Sequence, residues 1–210
     1  MFTQVVLGAI CSGENLMIKA IIFDCFGVLL GNAYKIHLTE VEQVDPARAA
    51  EIRAINHASD MGILSREETA QNISALFDME PEEFLEEQNQ MEVPNQKLLE
   101  YIMTLKPQFK VGMLSNINSR DRLSIRFEPG QLDAHFDTIV ASGDEGYVKP
   151  QAEIYHIAAT RLGVLPTECV FIDDIADFCD GARAVGMQAI QFITTEQAIT
   201  DINALIDRGE

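Results

Sequence analysis

Four carboxyl or hydroxyl side chains in this sequence stand immediately after short apolar runs, and a lysine completes the set. Asp24 follows AIIF, Ser115 follows VGML, and Asp173 and Asp174 follow VFI; Lys149 precedes Pro150 at the mouth of a helical stretch. Singly, each has an ordinary explanation, since an Asp or Ser at a strand end often caps the helix that follows. In this order they amount to three carboxylates, one hydroxyl donor and one ammonium, each delivered by a strand end or a helix start. Adjacent carboxylates at such a place repel each other and are costly to hold unless a cation is bound. A hard divalent cation with oxygen ligands is the natural complement.

The elements that must position these groups are readable as hydrophobic patterns. Ala20–Phe23, Lys110–Leu114, Thr138–Ala141, Cys169–Ile172 and Gln188–Phe192 are short apolar runs, the pattern of strands buried on both faces of a parallel sheet. Between them lie helical stretches at Asn95–Thr104, Ala152–Leu162 and Asp177–Val185. Leu98, Leu99, Ile102 and Leu105 fall at helical spacing in the first, as do Ile154, Ile157, Ala158 and Leu162 in the second, where Gly163 supplies a stop. Strands alternating with helices predict an α/β fold with a right-handed, doubly wound parallel sheet. Ligands of such sheets gather at the carboxyl ends of the strands, where the polar set stands.

From Gly31 to Val93 the strand-like runs disappear and Glu, Gln and Ala become frequent. Pro46–His57 and Ser65–Phe77 read as amphipathic helices, with Ser65 and Glu68 spaced as a capping box, and a further helix follows the break at Asp78–Glu82. The pattern predicts a small all-helical cap over 31–93, inserted after the first strand, with 17–30 and 94–210 forming the catalytic core. Residues 1–16 carry an apolar run, Val5 to Cys11, without a basic start and too short to span a membrane. They read as an extension outside the core or as an extra element packed upon it.

Composition excludes several partners. With 15 Lys and Arg against 33 Asp and Glu, the chain carries a formal charge of −18, so nucleic acid is repelled over most of its surface. An anionic ligand must therefore be small, and held by a metal or by a few aimed donors. Its 210 residues suffice for one core and a small insertion. Four cysteines without CxxC spacing, Cys11, Cys25, Cys169 and Cys179, fit reduced thiols in a cytoplasmic protein.

The wording around the polar residues is specific. IIFDCFGVLL, MLSN, SGDEGYVKPQAEIY and FIDDIADFCDGARAVGM resemble, in order, the four motifs of the haloacid dehalogenase-like superfamily. The resemblance runs from Ile18 to about Phe192, and the helical block is similar to the small cap of the subfamily that contains many sugar-phosphate and nucleotide phosphatases. It implies a Mg²⁺-dependent hydrolase of a small phosphorylated metabolite, acting through an aspartyl-phosphate on Asp24. Mg²⁺ would be held by Asp24, the main-chain carbonyl of Phe26 and Asp174, with Asp173 or Asp177 completing the coordination or its surroundings. Ser115 and the amide of Asn116 would bind the phosphoryl oxygens, and Lys149 would offset charge on nucleophile and phosphate.

One departure stands out. Phosphatases of this family carry a second Asp two residues after the nucleophile, which protonates the leaving alkoxide; here that position is Phe26. Loss of a positioned acid typically costs ~10²–10⁴-fold, so slow turnover or a preference for good leaving groups is expected. Two other readings follow from Phe26. A 2-haloacid dehalogenase also carries an aromatic residue there, although it resembles Ser-Ser-Asn where this chain has Asp173, Asp174 and Ile175. A regulatory or binding protein would keep the fold without turnover. The cap would set specificity through residues such as Asn32, Tyr34, His37 or Arg66, while His37, His57, His135 and His156 read as structural.

Overall fold

The computed structural model describes residues 17–207; the expectations for residues 1–16, Cys11 included, lie outside them. Five parallel strands form one sheet: β1 (Ala20–Phe23), β2 (Lys110–Ser115), β3 (Thr138–Ala141), β4 (Cys169–Asp173) and β5 (Gln188–Gln191), in the order β3-β2-β1-β4-β5. The chain builds outward from β1 to β3, then crosses back to β4 and β5. This reversal puts the carboxyl ends of β1 and β4 at a topological switch point, where open α/β sheets bind ligands.

The apolar runs are continuous because both faces of the sheet are covered. On one face Ile21, Phe23, Val111, Met113, Val170 and Ile172 pack with Leu98, Leu99 and Ile102 of α5 (Gln96–Leu105) and Ile202 of α10 (Thr195–Ile206). On the other, Ala20, Ile22, Leu114, Cys169 and Phe171 pack with Ile154, Tyr155, Ala158 and Leu162 of α8 (Ala152–Leu162) and Ala182 of α9 (Ala176–Ala184). Alternate residues of each strand feed opposite cores, which is the doubly wound arrangement that the periodicity predicts.

Three strand ends differ from the expectation by a residue, β5 stopping at Gln191 and not at Phe192. Ser115 and Asp173 lie inside β2 and β4 and not beyond them, because the register carries on to Ser115↔Ala141 and Asp173↔Gln191. These backbones are therefore pinned by the sheet, which fixes where their side chains emerge. Two short helices, α6 (Gln131–His135) and α7 (Ser142–Glu145), bracket β3.

Between Leu30 and Pro94 the chain is helical: α1 (Ala33–Val44), α2 (Pro46–Asp60), α3 (Arg66–Ser74) and α4 (Pro81–Met91). Local chemistry sets these boundaries. Asn32 caps α1, Asp45 caps α2 ahead of Pro46, and Ser65 with Glu68 forms the reciprocal capping box of α3. The four helices share a small core of Ile52, Ala70, Ile73, Phe77 and Phe84. Exit and return run side by side: Leu30 and Pro94 form an antiparallel bridge, and Gly31 N–H donates to Val93 O at 3.3 Å. A Cβ at Gly31 would lie 2.0 Å from the Met91 carbonyl, so only glycine allows the two connections to touch.

Candidate active site

Asp24 is carried one residue past β1, its backbone N–H donating to Ile172 O of β4 at 2.8 Å. Lys149 lies between two carboxylates: its Nζ donates to Asp24 Oδ1 and to Asp173 Oδ2, each at 2.6 Å. The ammonium also sits 4.9 Å from the Phe178 ring centroid and 5.4 Å from that of Phe171, so its uncharged surroundings are aromatic faces that favour a cation. Asn116 positions the lysine by bonding both backbone groups: its Oδ1 accepts from Lys149 N at 2.8 Å and its Nδ2 donates to Lys149 O at 3.2 Å.

Asp24, Ser115, Lys149 and Asp173 are buried, and burial dominates their electrostatics. It pushes the Asp24 carboxyl up to about 8; the Lys149 ammonium pulls against this rise, and the charges of Asp173 and Asp174 add to it. Asp173 is raised as well, first by burial. For Lys149, burial opposes the charge, but Asp173 and Asp24 outweigh it and hold the lysine above its ordinary value. Asp24 and Asp173 thus share one buried ammonium with Asp174 close by, and the three-acid cluster is short of positive charge.

A divalent cation fits this deficit. Ligand atoms of Asp24, Asp173 and Asp174 lie within 4.8 Å of one another, and Asp174 Oδ1 is a buried oxygen without a hydrogen-bond partner. Gly27 makes the approach of Asp174 possible. A Cβ there would stand 2.6 Å from Asp174 Cγ, and its φ of +97° suits glycine. The main-chain carbonyl of Phe26 accepts only a long bond from Asn32 Nδ2, at 3.4 Å. The other oxygen of Asp174 is engaged by Lys35 of α1, at 2.5 Å. Asp177 is exposed on α9 and does not join the acidic group: with α9 starting at Ala176, its side chain leaves the strand ends.

A cavity of about 600 Å³ opens above these groups. Its floor includes Asp24, Phe26, Ser115, Asn116 and Lys149, and its walls come from the helical insertion through Asn32, Tyr34, Lys35, Asp60, Arg66 and Glu92. Ser115 Oγ is buried without a partner, a hydroxyl free to bind a ligand beside Asp24. Of the residues expected to set specificity, Asn32, Tyr34 and Arg66 line the cavity, as does His57, whereas His37 does not; its Nε2 stands 2.8 Å from Glu87. His135 bonds the Gln131 carbonyl and His156 is exposed on α8.

Four lining residues escaped the pattern reading. Lys35 has been described. Arg122, in the 3₁₀ turn after β2, places its guanidinium carbon 4.8 Å from the centroid of the Phe26 ring. Glu92 pairs with Arg122 and Arg126. Asp60, at the end of α2, has its carboxyl pushed up to about 7 by burial, against the pull of Arg122 and Lys149. None follows an apolar run or belongs to a spaced motif; Arg122 sits in the polar stretch NSRDR, which carries no signal of burial.

Comparison with known proteins gives these features a family context. A family model described as haloacid dehalogenase-like hydrolase matches residues 18–186. Over 80 residues the chain is 38% identical to phosphatase MT3486 of Mycobacterium tuberculosis, covering 38% of this chain and 37% of that protein. Over 60 residues it is 42% identical to fructose-1-phosphate phosphatase YqaB of Escherichia coli, covering 28% and 31% respectively. The chain thus spans about a third of the length of these phosphatase relatives. Among solved structures, the enzyme bt-2542 of Bacteroides thetaiotaomicron, in complex with magnesium and inorganic phosphate, superimposes with a TM-score of 0.67 at 18% identity, covering 86% of this chain and 98% of its own; at that identity the likeness is one of fold.

Proposed function

The chain belongs to the haloacid dehalogenase-like hydrolases, and we propose that it hydrolyses phosphomonoesters of small metabolites with Asp24 as nucleophile. The observation that carries this reading is the convergence of Asp24, Lys149 and the unpartnered Ser115 hydroxyl on one cavity floor. Lys149 holds Asp24 Oδ1, which leaves Oδ2 to attack phosphorus. The ester P–O bond breaks as the Asp24–phosphorus bond forms. Water then attacks the aspartyl-phosphate, which restores the carboxylate and releases inorganic phosphate. Ser115 Oγ and the backbone N–H of Asn116 donate to the phosphoryl oxygens, and Lys149 balances their charge.

Asp24, Asp174, Asp173 and the Phe26 carbonyl would hold Mg²⁺, which when bound offsets the negative charge of nucleophile and phosphate together. A further cation beside Asp24 also keeps its carboxyl ionised, against the rise that burial imposes. Residues 31–93 act as a cap in this reading, supplying the cavity wall that excludes water. At the leaving oxygen Phe26 offers no proton, so the alkoxide takes one from water and good leaving groups are favoured. Phosphatase relatives, one acting on fructose 1-phosphate, support the substrate class.

The test is phosphate release from p-nitrophenyl phosphate, expected to require Mg²⁺ and to vanish in Asp24→Asn. Absence of release from this ester and from a panel of phosphorylated metabolites would overturn the reading. Chloride release from 2-chloropropionate would replace it with dehalogenation.

A further inference from the structure

A second charged cluster lies in the wall of the same cavity. Glu92, just beyond α4, has a side chain only 2% exposed. It accepts from Arg122 Nη2 at 3.1 Å and from Arg126 Nε at 2.7 Å. Arg66, at the start of α3, is close enough for both of these guanidinium groups to act on it. After burial, Arg122 and Arg126 are the main causes that push the Arg66 guanidinium below its ordinary value. Two guanidinium groups therefore hold one buried carboxylate, and the third stands near them with its Nη2 donating to Asn89 Oδ1 at 3.3 Å.

Their donors are not used up. Arg66 Nε, Arg122 Nε and Arg126 Nη2 are buried atoms without a hydrogen-bond partner, and a buried cationic donor left unpaired is costly. The other acids nearby do not balance the charge. Asp60 titrates at about 7, and Glu67 is the smallest influence on Arg66. The placement is uneven across the molecule: of 15 Lys and Arg in the sequence, five (Lys35, Arg53, Arg66, Arg122 and Lys149) line this one cavity. Four acids, Asp24, Glu42, Asp60 and Glu92, line it as well. Lys35 is paired with Asp174, Arg53 with Glu42, and Lys149 with Asp24 and Asp173, so the unused cationic donors of the lining are those of Arg66 and Arg122. The Arg122 guanidinium carbon lies 4.8 Å from the centroid of the Phe26 ring, the position at which, in the phosphatase reading, the family's acid would serve the leaving group.

We propose that Arg122 and Arg66, backed by Arg126, form a subsite for a second oxyanion on the leaving group, so that the preferred substrates are phosphomonoesters carrying a further carboxylate or phosphate. The inference rests on the phosphatase reading for the place of the first phosphoryl group. Guanidinium forks suit either oxyanion through paired N–H donors. The subsite selects by charge on a part of the substrate remote from phosphorus, and its contribution appears in binding.

Calorimetry on the full chain carrying Asp24→Asn separates binding from turnover. The ligands are ethyl phosphate, the series of ω-carboxyalkyl phosphates with one to four methylenes, and the alkane bisphosphates of equal length. The best-fitting dianionic ligand should bind ~10–100-fold tighter than ethyl phosphate, the range of one or two charge-assisted hydrogen bonds. Whether the carboxylate or the bisphosphate series gives the larger gain identifies the oxyanion. Added Arg122→Met should reduce the preference toward unity. So should Arg66→Gln, which leaves both Glu92 pairs intact and guards against a folding defect. Equal affinity across the series, or a preference that survives in both variants, overturns the subsite. The preference without wild-type turnover of any ester sinks the phosphatase reading and keeps the subsite; turnover of ethyl phosphate without the preference does the reverse.

Discussion

The two ends of the cavity are charged in opposite senses. On the floor, Asp24 and Asp173 hold one buried ammonium, Lys149, and Asp174 stands beside them. In the wall, Arg122 and Arg126 hold one buried carboxylate, Glu92, and Arg66 stands beside them. Each end leaves its majority charge incompletely paired: Asp174 Oδ1 in the first, and three guanidinium nitrogens in the second. The floor asks for a cation and the wall for an anion. A phosphorylated substrate arriving with a divalent metal, and bearing a second anion, would answer both. The ends also differ in support. The floor stands on sheet ends bonded on both sides, whereas the wall is assembled from α3, the return segment at Glu92 and the 3₁₀ turn after β2.

The strongest way to break the floor is Lys149→Met. It strands two buried carboxylates and should cost about 3–5 kcal/mol of stability by denaturant unfolding, with loss of turnover. Added phosphate should not restore the fold, since the missing charge is positive.

Asp60 lies between the two ends and answers to both. Its carboxyl is raised from 3.8 to about 7, so the folded state holds the proton more tightly than the unfolded chain. Its stabilising contribution is complete below about pH 4 and is lost as pH rises through about 7. Asp60→Asn should lack this slope, so that wild type loses about 4 kcal/mol relative to the variant between pH 4 and 8. Parallel pH-stability profiles would show that Asp60 is not the titrating group.

Phe26→Asp tests the boundary between floor and wall. A carboxyl there restores the family's acid, but Arg122, now 4.8 Å from the ring centroid, would favour its ionised form. The gain on alkyl phosphates should therefore reach only ~10–100-fold, at or below the low end of the ~10²–10⁴-fold that a positioned acid supplies, with little change on aryl phosphates. It should be largest at acidic pH; a gain independent of both leaving group and pH would refute the acid role.

The smallest effect is expected from Glu92→Gln, which removes the carboxylate shared by Arg122 and Arg126 but keeps a carbonyl acceptor. A loss of about 1–2 kcal/mol in the melting curve, recovered by millimolar sulfate, would sharpen the contrast with Lys149→Met. Absence of recovery would mean that the wall does not attract a replacement anion.

The floor was legible because each of its groups is written next to an apolar run. Asp24, Ser115, Asp173 and Asp174 adjoin stretches that can only be buried strands, so composition reveals both the element and the residue at its end. The insertion was legible as helices for a similar reason, since Ser65 with Glu68 and Pro46 after Asp45 are local stop and start signals. The wall was not. Arg66 stood among the residues expected to set specificity, but Glu92, Arg122 and Arg126 come from two other polar segments separated by tens of positions, and each looks like an ordinary solvated charge in its own neighbourhood. Asp177 shows the converse: it adjoins the acidic motif in sequence, but as the second residue of α9 its exposed side chain stands outside the group.

By itself, the sequence determined the alternation of strands and helices, the order of the motifs and the identity of the groups at the strand ends. These depend on periodicity and on neighbours within a few residues. Only the tertiary structure decided that Lys149 bridges Asp24 and Asp173, that Lys35 reaches Asp174, and that Arg122 and Arg126 close on Glu92 in the wall of the same cavity. The reason is physical: burial and pairing of charge are set by which distant segments meet, and local sequence does not encode the meeting.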